Sequence, residues 1–261
     1  MDFQFGLVIA GLTVGFIVGL TGVGGGSLMT PILLYFGIPA TTAVGTDLLY
    51  AAFTKIGGVF VHHKKKNINW SITGWLALGS VPAALVTLWI LDTMKADTTA
   101  MNIMIKYCLG WALLFTSIAI IFKNKILAFS QKHAGDKFHK ESKTQNALTI
   151  AIGVMLGAVV TLTSIGAGAL GTVTLFFLYP LLPTPKLVGT EIAHAVPLTL
   201  VAGIGHASMG NIDFSLLGQL LMGSLPGIYL GSMLSGKVPD LLLRNAIAIM
   251  LFFVGFGLIT K

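Results

Sequence analysis

Apolar segments follow one another along the whole chain, separated by short polar stretches. They lie at residues 3–20, 27–37, 43–61, 71–91, 100–122, 145–162, 169–182, 187–205, 214–235 and 240–260. Most approach or reach the roughly 17–25 residues that a membrane-spanning helix needs. The segments 27–37 and 169–182 are too short to span upright as simple helices, so we expect tilted short spans or arms of re-entrant hairpins. The pattern predicts an all-α polytopic membrane protein.

Two glycine-rich interruptions divide these apolar runs. The first break is Thr21–Ser27, which contains Gly22, Gly24, Gly25 and Gly26, and the second break is Thr163–Ala169, with Gly166 and Gly168. Irregular backbone is costly in hydrocarbon because its N–H and C=O groups lose their partners, so it persists where it lines a cavity. Interruptions in matching positions of two halves indicate the binding site of a transporter.

The two halves of the chain repeat each other. Val44-Gly45-Thr46-Asp47 matches Val188-Gly189-Thr190-Glu191, and the same offset of 144 residues aligns Asn67-Ile68-Asn69 with Asn211-Ile212-Asp213 and His62 with His206. The two breaks align at an offset of 142, because Thr21 pairs with Thr163. We therefore predict two repeats of about five segments each, residues 1–122 and 145–261, joined by a basic linker at 123–144.

Composition agrees with a membrane protein. The 261 residues are 55% hydrophobic and 10% charged, with a mean hydropathy of +0.89, whereas a soluble domain carries about a quarter charged residues. The net charge of +7 comes mainly from lysines clustered in loops, which favours a topological signal over nucleic-acid binding. The single cysteine, Cys108, excludes a disulfide framework and a paired-cysteine metal site. We expect no metal and no cofactor.

The basic clusters predict the orientation of the chain. Lys64-Lys65-Lys66 and the linker from Lys123 to Lys143 would lie in the cytoplasm, with the two long segments between them crossing out and back. Lys186, Lys237 and Arg244 would then also lie inside. This arrangement inverts the second repeat relative to the first and places both termini outside.

The breaks predict a small anion site. A helix that resumes after Ser27 and another that resumes after Ala169 would each point an N-terminus, with free N–H groups and partial positive charge, toward mid-membrane. Hydroxyl groups could add hydrogen-bond donors from Thr21, Ser27, Thr30, Thr163, Ser164 and Thr172. The alternative is that the glycines only permit close packing of helices.

Lys55 is the most informative single residue. It lies eleven residues past Val44, which puts it roughly 16 Å into the membrane. A charge at that depth is a functional hypothesis by default, and the repeat counterpart is the uncharged Thr199. We expect Lys55 to bind the anion; the alternative is a structural ion pair, for example with Asp47.

Three further ionisable groups belong to the repeated motifs. Asp47 and Glu191 are repeat counterparts that could couple transport to protons or ions, act as gates, or merely stabilise their helix N-termini. His194, one turn past Glu191, could bind an anion, shuttle a proton or be a buried structural histidine. We expect His62 and His206, at segment ends, to lie at the membrane interface.

Enzyme motifs do not fit this context. Gly22-x-Gly24-Gly25-Gly26 superficially resembles a dinucleotide fingerprint, but that motif needs a soluble strand–turn–helix unit. A membrane-embedded enzyme would need a nucleophile–base pair or a metal cluster, and neither pattern is visible. We therefore predict a protein that is not an enzyme.

The chain resembles the sulfite exporter TauE/SafE family of membrane transporters. The resemblance is carried by Gly19-Leu-Thr-Gly-Val-Gly-Gly-Gly-Ser27, Val44-Gly-Thr-Asp-Leu-Leu-Tyr50, Lys55, His62 and Thr190-Glu-Ile-Ala-His-Ala-Val-Pro197, and it covers nearly the whole chain. It implies a multi-pass carrier of the bacterial inner membrane that exports sulfite or organosulfonates such as sulfoacetate. The positions carried over from the family are Thr21, Gly24, Gly25, Ser27, Asp47, Lys55 and His194.

The second break departs from the first. It has Ala167 and Ala169 where the first has Gly25 and Ser27, so it offers fewer donors, which argues against a symmetric site. Two other functions stay open: an anion channel, and a carrier for another small anion. A carrier of this size could also form a homodimer.

Overall fold

The computed structural model describes residues 5–21, 26–94, 96–132, 143–234 and 240–260. These residues form ten helices: α1 Phe5–Thr21, α2 Gly26–Tyr35, α3 Ala40–Lys64, α4 Trp70–Met94, α5 Thr98–Lys132, α6 Lys143–Thr163, α7 Ala169–Leu178, α8 Thr184–Ser208, α9 Phe214–Leu234 and α10 Asp240–Thr260. Each helix coincides with one predicted apolar segment. The fold class is therefore all-α, as the hydrophobic pattern predicts.

Six of the described helices, α3, α4, α5, α6, α8 and α9, are long and apolar enough to cross a membrane. The helices α2 and α7 have ten residues each, about half the length of a span. The helix α5 continues through Lys132 into the predicted linker. Leu127 packs there against the hydrophobic cluster that includes Phe176. This apolar contact stabilises the extension, and the lysine-rich sequence around Leu127 does not predict it.

Glycines let α1 and α9 pack in backbone contact. A Cβ at Gly11 would lie 2.4 Å from the carbonyl oxygen of Leu220, and one at Gly15 would lie 2.4 Å from that of Ser224. In return, a Cβ at Gly223 would lie 2.0 Å from the carbonyl oxygen of Val8. Residue numbers rise together on both helices, so the pair is parallel. Side chains at these positions would push the helices apart.

The helices α4 and α6 form a second parallel pair of the same kind. A Cβ at Gly153 would meet the carbonyl oxygen of Leu76 at 2.3 Å, and one at Gly157 would meet that of Ser80 at 2.3 Å. From the other side, a Cβ at Gly79 would meet the carbonyl oxygen of Ile150 at 2.1 Å. Both pairs therefore depend on small residues spaced four apart.

The central helices α3 and α8 run antiparallel and lock onto each other at both ends. A Cβ at Gly45, near the start of α3, would lie 2.3 Å from the carbonyl oxygen of Asn211, just past the end of α8. At the other end, a Cβ at Gly189 would lie 2.2 Å from the carbonyl oxygen of Asn67. The motifs that mark the sequence repeat thus contact each other in space.

The same two junctions carry reciprocal hydrogen bonds. The backbone N–H of Asn69 donates to Thr190 Oγ1 at 2.9 Å, and that of Asp213 donates to Thr46 Oγ1 at 3.3 Å. The side-chain oxygens of Asn69 and Asp213 then accept from N–H groups in the first turns of α4 and α9. Each junction therefore caps the next helix and fixes its position against the α3–α8 pair.

Candidate functional site

Lys55 is buried in α3, with 7% of its surface exposed. Its ammonium donates a hydrogen bond to the carbonyl oxygen of Ala167, inside the second break. It also interacts electrostatically, first with Glu191 and then with Asp47. The depth of Lys55 in the membrane stays a prediction, whereas its hydrogen bond to a carbonyl differs from the simple ion pair with Asp47 that the sequence left open.

The second break is a compact turn between α6 and α7. Thr163 Oγ1 accepts from the N–H of Ile165 at 3.1 Å and donates to the carbonyl of Val159 at 2.6 Å. Gly166 and Gly168 have φ of 120° and 158°, a region that side chains disfavour. Ser164 is buried, and its Oγ has no hydrogen-bond partner among the described residues. The turn presents the carbonyl of Ala167 to Lys55 and starts α7 at Ala169.

The first break lies largely outside the described residues. Gly24 and Gly25 are not part of the described structure, and neither are the side chains of Thr21, at the end of α1, and Ser27, in α2. Gly26 is the first residue of α2. The predicted contribution of these five positions to an anion site therefore stays a prediction.

A cavity of about 720 Å³ begins at Lys55 and extends along the C-terminal part of α3. Glu191, Thr54 and Thr172 give it further polar groups, and Gly168 and Ala169 bring the start of α7 to its wall. Its lining also includes Val18 and Gly19 of α1, His62, Lys123 of α5, Thr184 of α8 and Ser232 of α9. Six helices thus enclose a site that combines one buried cation, one buried carboxylate, hydroxyls and a helix N-terminus.

Glu191 shares this cavity with Lys55, whereas Asp47 does not line it. The Glu191 side chain is 2% exposed, and within the described part of the chain its Oε1 has no hydrogen-bond partner. It lies against Gly171 of α7, where a Cβ would be 2.9 Å from that oxygen. A residue larger than glycine at this position would displace the carboxylate.

Asp47 connects α3 to α2. The hydroxyl of Thr30 donates to Asp47 Oδ2, and Ser164 lies beside the same carboxyl outside hydrogen-bonding geometry. Asp47 Oδ1 accepts no hydrogen bond from any residue that the structure describes. The N-cap positions of α3 and α8 are Pro39 and Pro183, and the first turn of each helix has no acidic residue. Asp47 and Glu191 therefore neither cap their helices nor lie close enough to stabilise the N-termini, and that alternative is wrong.

His194 lies behind the cavity. It is fully buried, with Nε2 at 2.8 Å from Ser80 Oγ of α4, and it does not line the cavity. His206 is also fully buried, with Nε2 at 2.9 Å from the carbonyl oxygen of Thr161. This contact near the end of α6 holds the His206 ring inside the protein, and its level relative to the membrane interface stays a prediction. His62 is half-buried and lines the cavity.

Several site residues escape sequence reasoning. Thr54 and Gly171 gain their importance only from the packing of α3, α7 and α8 around the cavity. Ser80 belongs to the repeated Gly79-Ser80-Val81-Pro82 stretch, so its place in the repeat is the only sequence signal. Among the described residues, no three His, Cys, Asp or Glu side chains are grouped closely enough to hold a metal ion.

Comparisons with known proteins agree with the resemblance in the sequence. The family model described as "Sulfite exporter TauE/SafE" matches residues 7–258. The chain is 40% identical over 216 residues to "Probable membrane transporter protein YjnA" of Bacillus subtilis (strain 168), covering 82% of this chain and 84% of the relative. It is 28% identical over 221 residues to "Probable membrane transporter protein YdhB" of the same organism, covering 82% and 83%. No solved structure matches the chain significantly. The chain therefore belongs to the sulfite exporter TauE/SafE family of membrane transporters.

Proposed function

We propose that this protein is a secondary transporter of small sulfur-containing anions, sulfite or organosulfonates such as sulfoacetate, which it exports across the bacterial inner membrane. The anion binds at mid-membrane in the cavity beside Lys55, and the protein exposes that cavity alternately to the two sides. The family match supports transport and the sulfur-containing class of substrate, and the geometry around Lys55 supports the mode of binding.

The observation that carries the proposal is the buried ammonium of Lys55 at the wall of a cavity of about 720 Å³. A cation inside a membrane is costly and marks an ion or substrate pathway. In the first turn of α7, the N–H groups of Gly171 and Thr172 donate to the carbonyls of Gly166 and Gly168. The helix N-terminus therefore offers the N–H groups of Ala169 and Leu170 to an anion, and Thr172 adds a hydroxyl at the same wall. Charge, hydroxyl and helix N-terminus together match the needs of a small oxyanion.

The position of the cavity favours loading from the cytoplasm. From Lys55 it extends past His62 and Lys123 to Thr184, which are the ends of α3, α5 and α8 that the lysine distribution predicts to be cytoplasmic. An anion leaving a cell that is negative inside gains roughly 2.3 kcal/mol per charge per 100 mV. Export would therefore proceed without ATP.

Inverted repeats supply the alternation. The contact of Gly15 with the carbonyl of Ser224 between α1 and α9 has its repeat counterpart in that of Gly157 with Ser80 between α4 and α6. The helices α3 and α8 are counterparts in the two repeats and run antiparallel. A pseudo-two-fold axis in the membrane plane, which relates inverted repeats, requires this arrangement. We infer that α1–α5 and α6–α10 are inverted repeats, so that a second conformation of similar energy is available with the opposite opening.

The carboxylates have separate roles in this proposal. Glu191 interacts electrostatically with Lys55, so an incoming anion competes with it for the ammonium, and Glu191 can take up a proton as the anion binds. Asp47, bound to Thr30, holds α2 against α3 and serves as a gating contact. His194 acts indirectly through its contact with α4. Thr163, Ser164 and Gly166 shape the turn that carries the Ala167 carbonyl.

The test is counterflow in proteoliposomes made from purified full-length protein. Vesicles loaded with unlabelled sulfite should accumulate ³⁵S-labelled sulfite transiently and saturably, and sulfoacetate should compete better than sulfate or chloride. Saturable counterflow requires a carrier. An anion channel would show no counterflow, and its current would not saturate as the anion concentration is raised. Absence of counterflow with every sulfur anion would contradict the assigned substrate class.

The predicted orientation needs a separate measurement. With Cys108→Ser as background, Ala134→Cys in the linker should react with a membrane-impermeant maleimide only in inside-out vesicles. Reaction in intact cells would reverse the orientation and, with it, the argument for export. The homodimer stays a prediction that the mass of the detergent-purified protein would test.

A further inference from the structure

A second cavity lies on the other side of the α3–α8 pair, away from the site of Lys55. It has a volume of about 580 Å³ and is lined almost entirely by apolar groups: Ile56, Val59, Phe60, Ala193, Val196 and Pro197, with His63, Trp70 and Thr73 at one end. We call this cavity the lipid groove. From His63 to Ile56 it follows about two turns of α3, or roughly 10 Å along the helix axis.

The mouth of the groove is basic and aromatic. Lys64, Lys65 and Lys66 are exposed directly beyond it, and the ammonium of Lys64 lies 4.5 Å from the centre of the Phe60 ring. His63 and Trp70 form an edge-to-face pair with ring centres 5.8 Å apart. Tryptophan prefers the membrane–water boundary, so this end lies at headgroup level and the apolar end lies among acyl chains.

The repeat provides an internal comparison. In the second half, the counterpart of Val59 is Gly203, and the counterpart of Ala193 is Leu49, whose Cδ2 would lie 2.5 Å from a Cβ at Gly203. Leu49 therefore fills the position that the small Ala193 leaves open. The counterparts of the three lysines are Ser208, Met209 and Gly210, which carry no charge. In the first half the groove lies next to three lysines, whereas at the related position of the second half Leu49 packs against Gly203 and uncharged residues replace the lysines.

We propose that the lipid groove binds one acyl chain of an anionic phospholipid, whose phosphate is held by Lys64, Lys65 and Lys66. Three ammonium groups at the mouth select the negative headgroup, because basic residues next to a membrane attract anionic lipids. The lining of the lipid groove is almost entirely apolar, so an acyl chain can bind there without the burial of polar groups. This site is independent of the proposed transport function, since it shares no residue with the cavity of Lys55.

Trp70 offers a direct reporter for the test. The protein has four tryptophans, so Trp75→Phe, Trp89→Phe and Trp111→Phe leave Trp70 as the single fluorophore. This variant is reconstituted in phosphatidylcholine vesicles that contain increasing fractions of phosphatidylglycerol with brominated acyl chains, which quench nearby indoles. Brominated phosphatidylcholine, which carries the same quencher on a headgroup without net charge, is the control lipid. A second variant that keeps only Trp111, which is exposed on α5, reports contact with bulk lipid.

If the groove binds anionic lipid, the fluorescence of Trp70 should be quenched saturably at a low fraction of brominated phosphatidylglycerol, well below the fraction of brominated phosphatidylcholine that gives the same quenching. Trp111 should show no preference between the two lipids. Lys64→Gln, Lys65→Gln and Lys66→Gln should each weaken the preference roughly fivefold, and the triple variant should abolish it. Ala193→Phe should reduce quenching by filling the groove. The exposed lysine variants keep the test valid if the filled groove prevents folding.

Two outcomes would overturn the proposal. Equal quenching by the two lipids, unchanged in the triple lysine variant, would mean that the groove meets bulk lipid only. Absence of quenching by either lipid would mean that protein, such as a second copy of this chain, covers the groove. Neither outcome would alter the counterflow result, so the two proposals fail separately.

Discussion

Replacement of Lys55 by methionine tests the core of the proposed mechanism. Methionine is similar in length and apolar, so it removes the charge and the hydrogen bond to Ala167 while filling much of the same space. A hydrogen bond to a charged group contributes about 1.5–3 kcal/mol. If the same ammonium holds the anion in the loaded state, Lys55→Met should weaken anion binding roughly ten- to hundredfold.

The same substitution has a second, structural effect. Lys55 compensates Glu191 and Asp47, and removal of one member of a buried charge pair costs about 3–5 kcal/mol because the remaining charge is left alone. Lys55→Met alone should therefore lower the unfolding temperature. The double variant Lys55→Met with Glu191→Gln should recover most of that loss while still failing to bind the anion.

The assay is thermal-shift titration of detergent-purified protein with sulfite, sulfate, sulfoacetate and chloride. Lys143→Met, which removes an exposed lysine at the start of α6, is the matched charge control and should titrate like the wild type. Glu191→Gln should bind the anion more tightly than the wild type, because the competing carboxylate is neutral. Unchanged sulfite affinity in the folded double variant would remove Lys55 from the anion site.

Three further substitutions, the first with a control substitution, test the packing of the helices and loops. Gly223→Ala places a Cβ 2.0 Å from a backbone carbonyl of α1 and should lower the unfolding temperature by several degrees. The control is Gly218→Ala, where an added Cβ would have no atom within 4 Å; it should be neutral or slightly stabilising in the same unfolding experiment. Thr190→Val removes the acceptor of a loop N–H and should cost about 1–3 kcal/mol, measured as a lower unfolding temperature; an unchanged value would mean that the loop finds another acceptor. Gly171→Ala should displace the Glu191 carboxylate and alter the affinity for sulfite, measured by counterflow, more than it alters stability. If Gly171→Ala weakens sulfite binding no more than it lowers protein stability, the position of the Glu191 carboxylate matters for structure only.

Much of the architecture follows from local hydrophobicity. All ten described helices coincide with segments that the apolar pattern predicts, because a backbone in hydrocarbon has to satisfy its own hydrogen bonds and therefore forms helices. The depth of Lys55 is readable for the same reason, since rise per residue converts sequence distance into depth. The helical continuation of α5 into the predicted linker is less visible, because it depends on the contact of Leu127 with another helix.

The candidate site follows only partly from the sequence. Lys55 and Glu191 come together at one cavity, a pairing that the sequence analysis does not predict, whereas His194 and Asp47 lie outside it. The distinction depends on which face of α3 and α8 points toward α7. The repeat motifs also acquire a meaning that alignment cannot show, because Gly45 meets Asn211 and Gly189 meets Asn67 only across two antiparallel helices.

The sequence by itself therefore determined that the chain is a helical membrane protein with a duplicated pattern, two glycine-rich interruptions and a lysine deep in an apolar segment. These properties are local, since each depends on the transfer of short stretches from water to hydrocarbon. The tertiary structure alone decided that Lys55 faces the Ala167 carbonyl and Glu191, that six helices enclose one cavity, and that Leu49 closes in one half a groove left open in the other. Those outcomes depend on helix directions and on contacts of a few ångströms between residues far apart in the chain, where a single methyl group changes what can pack.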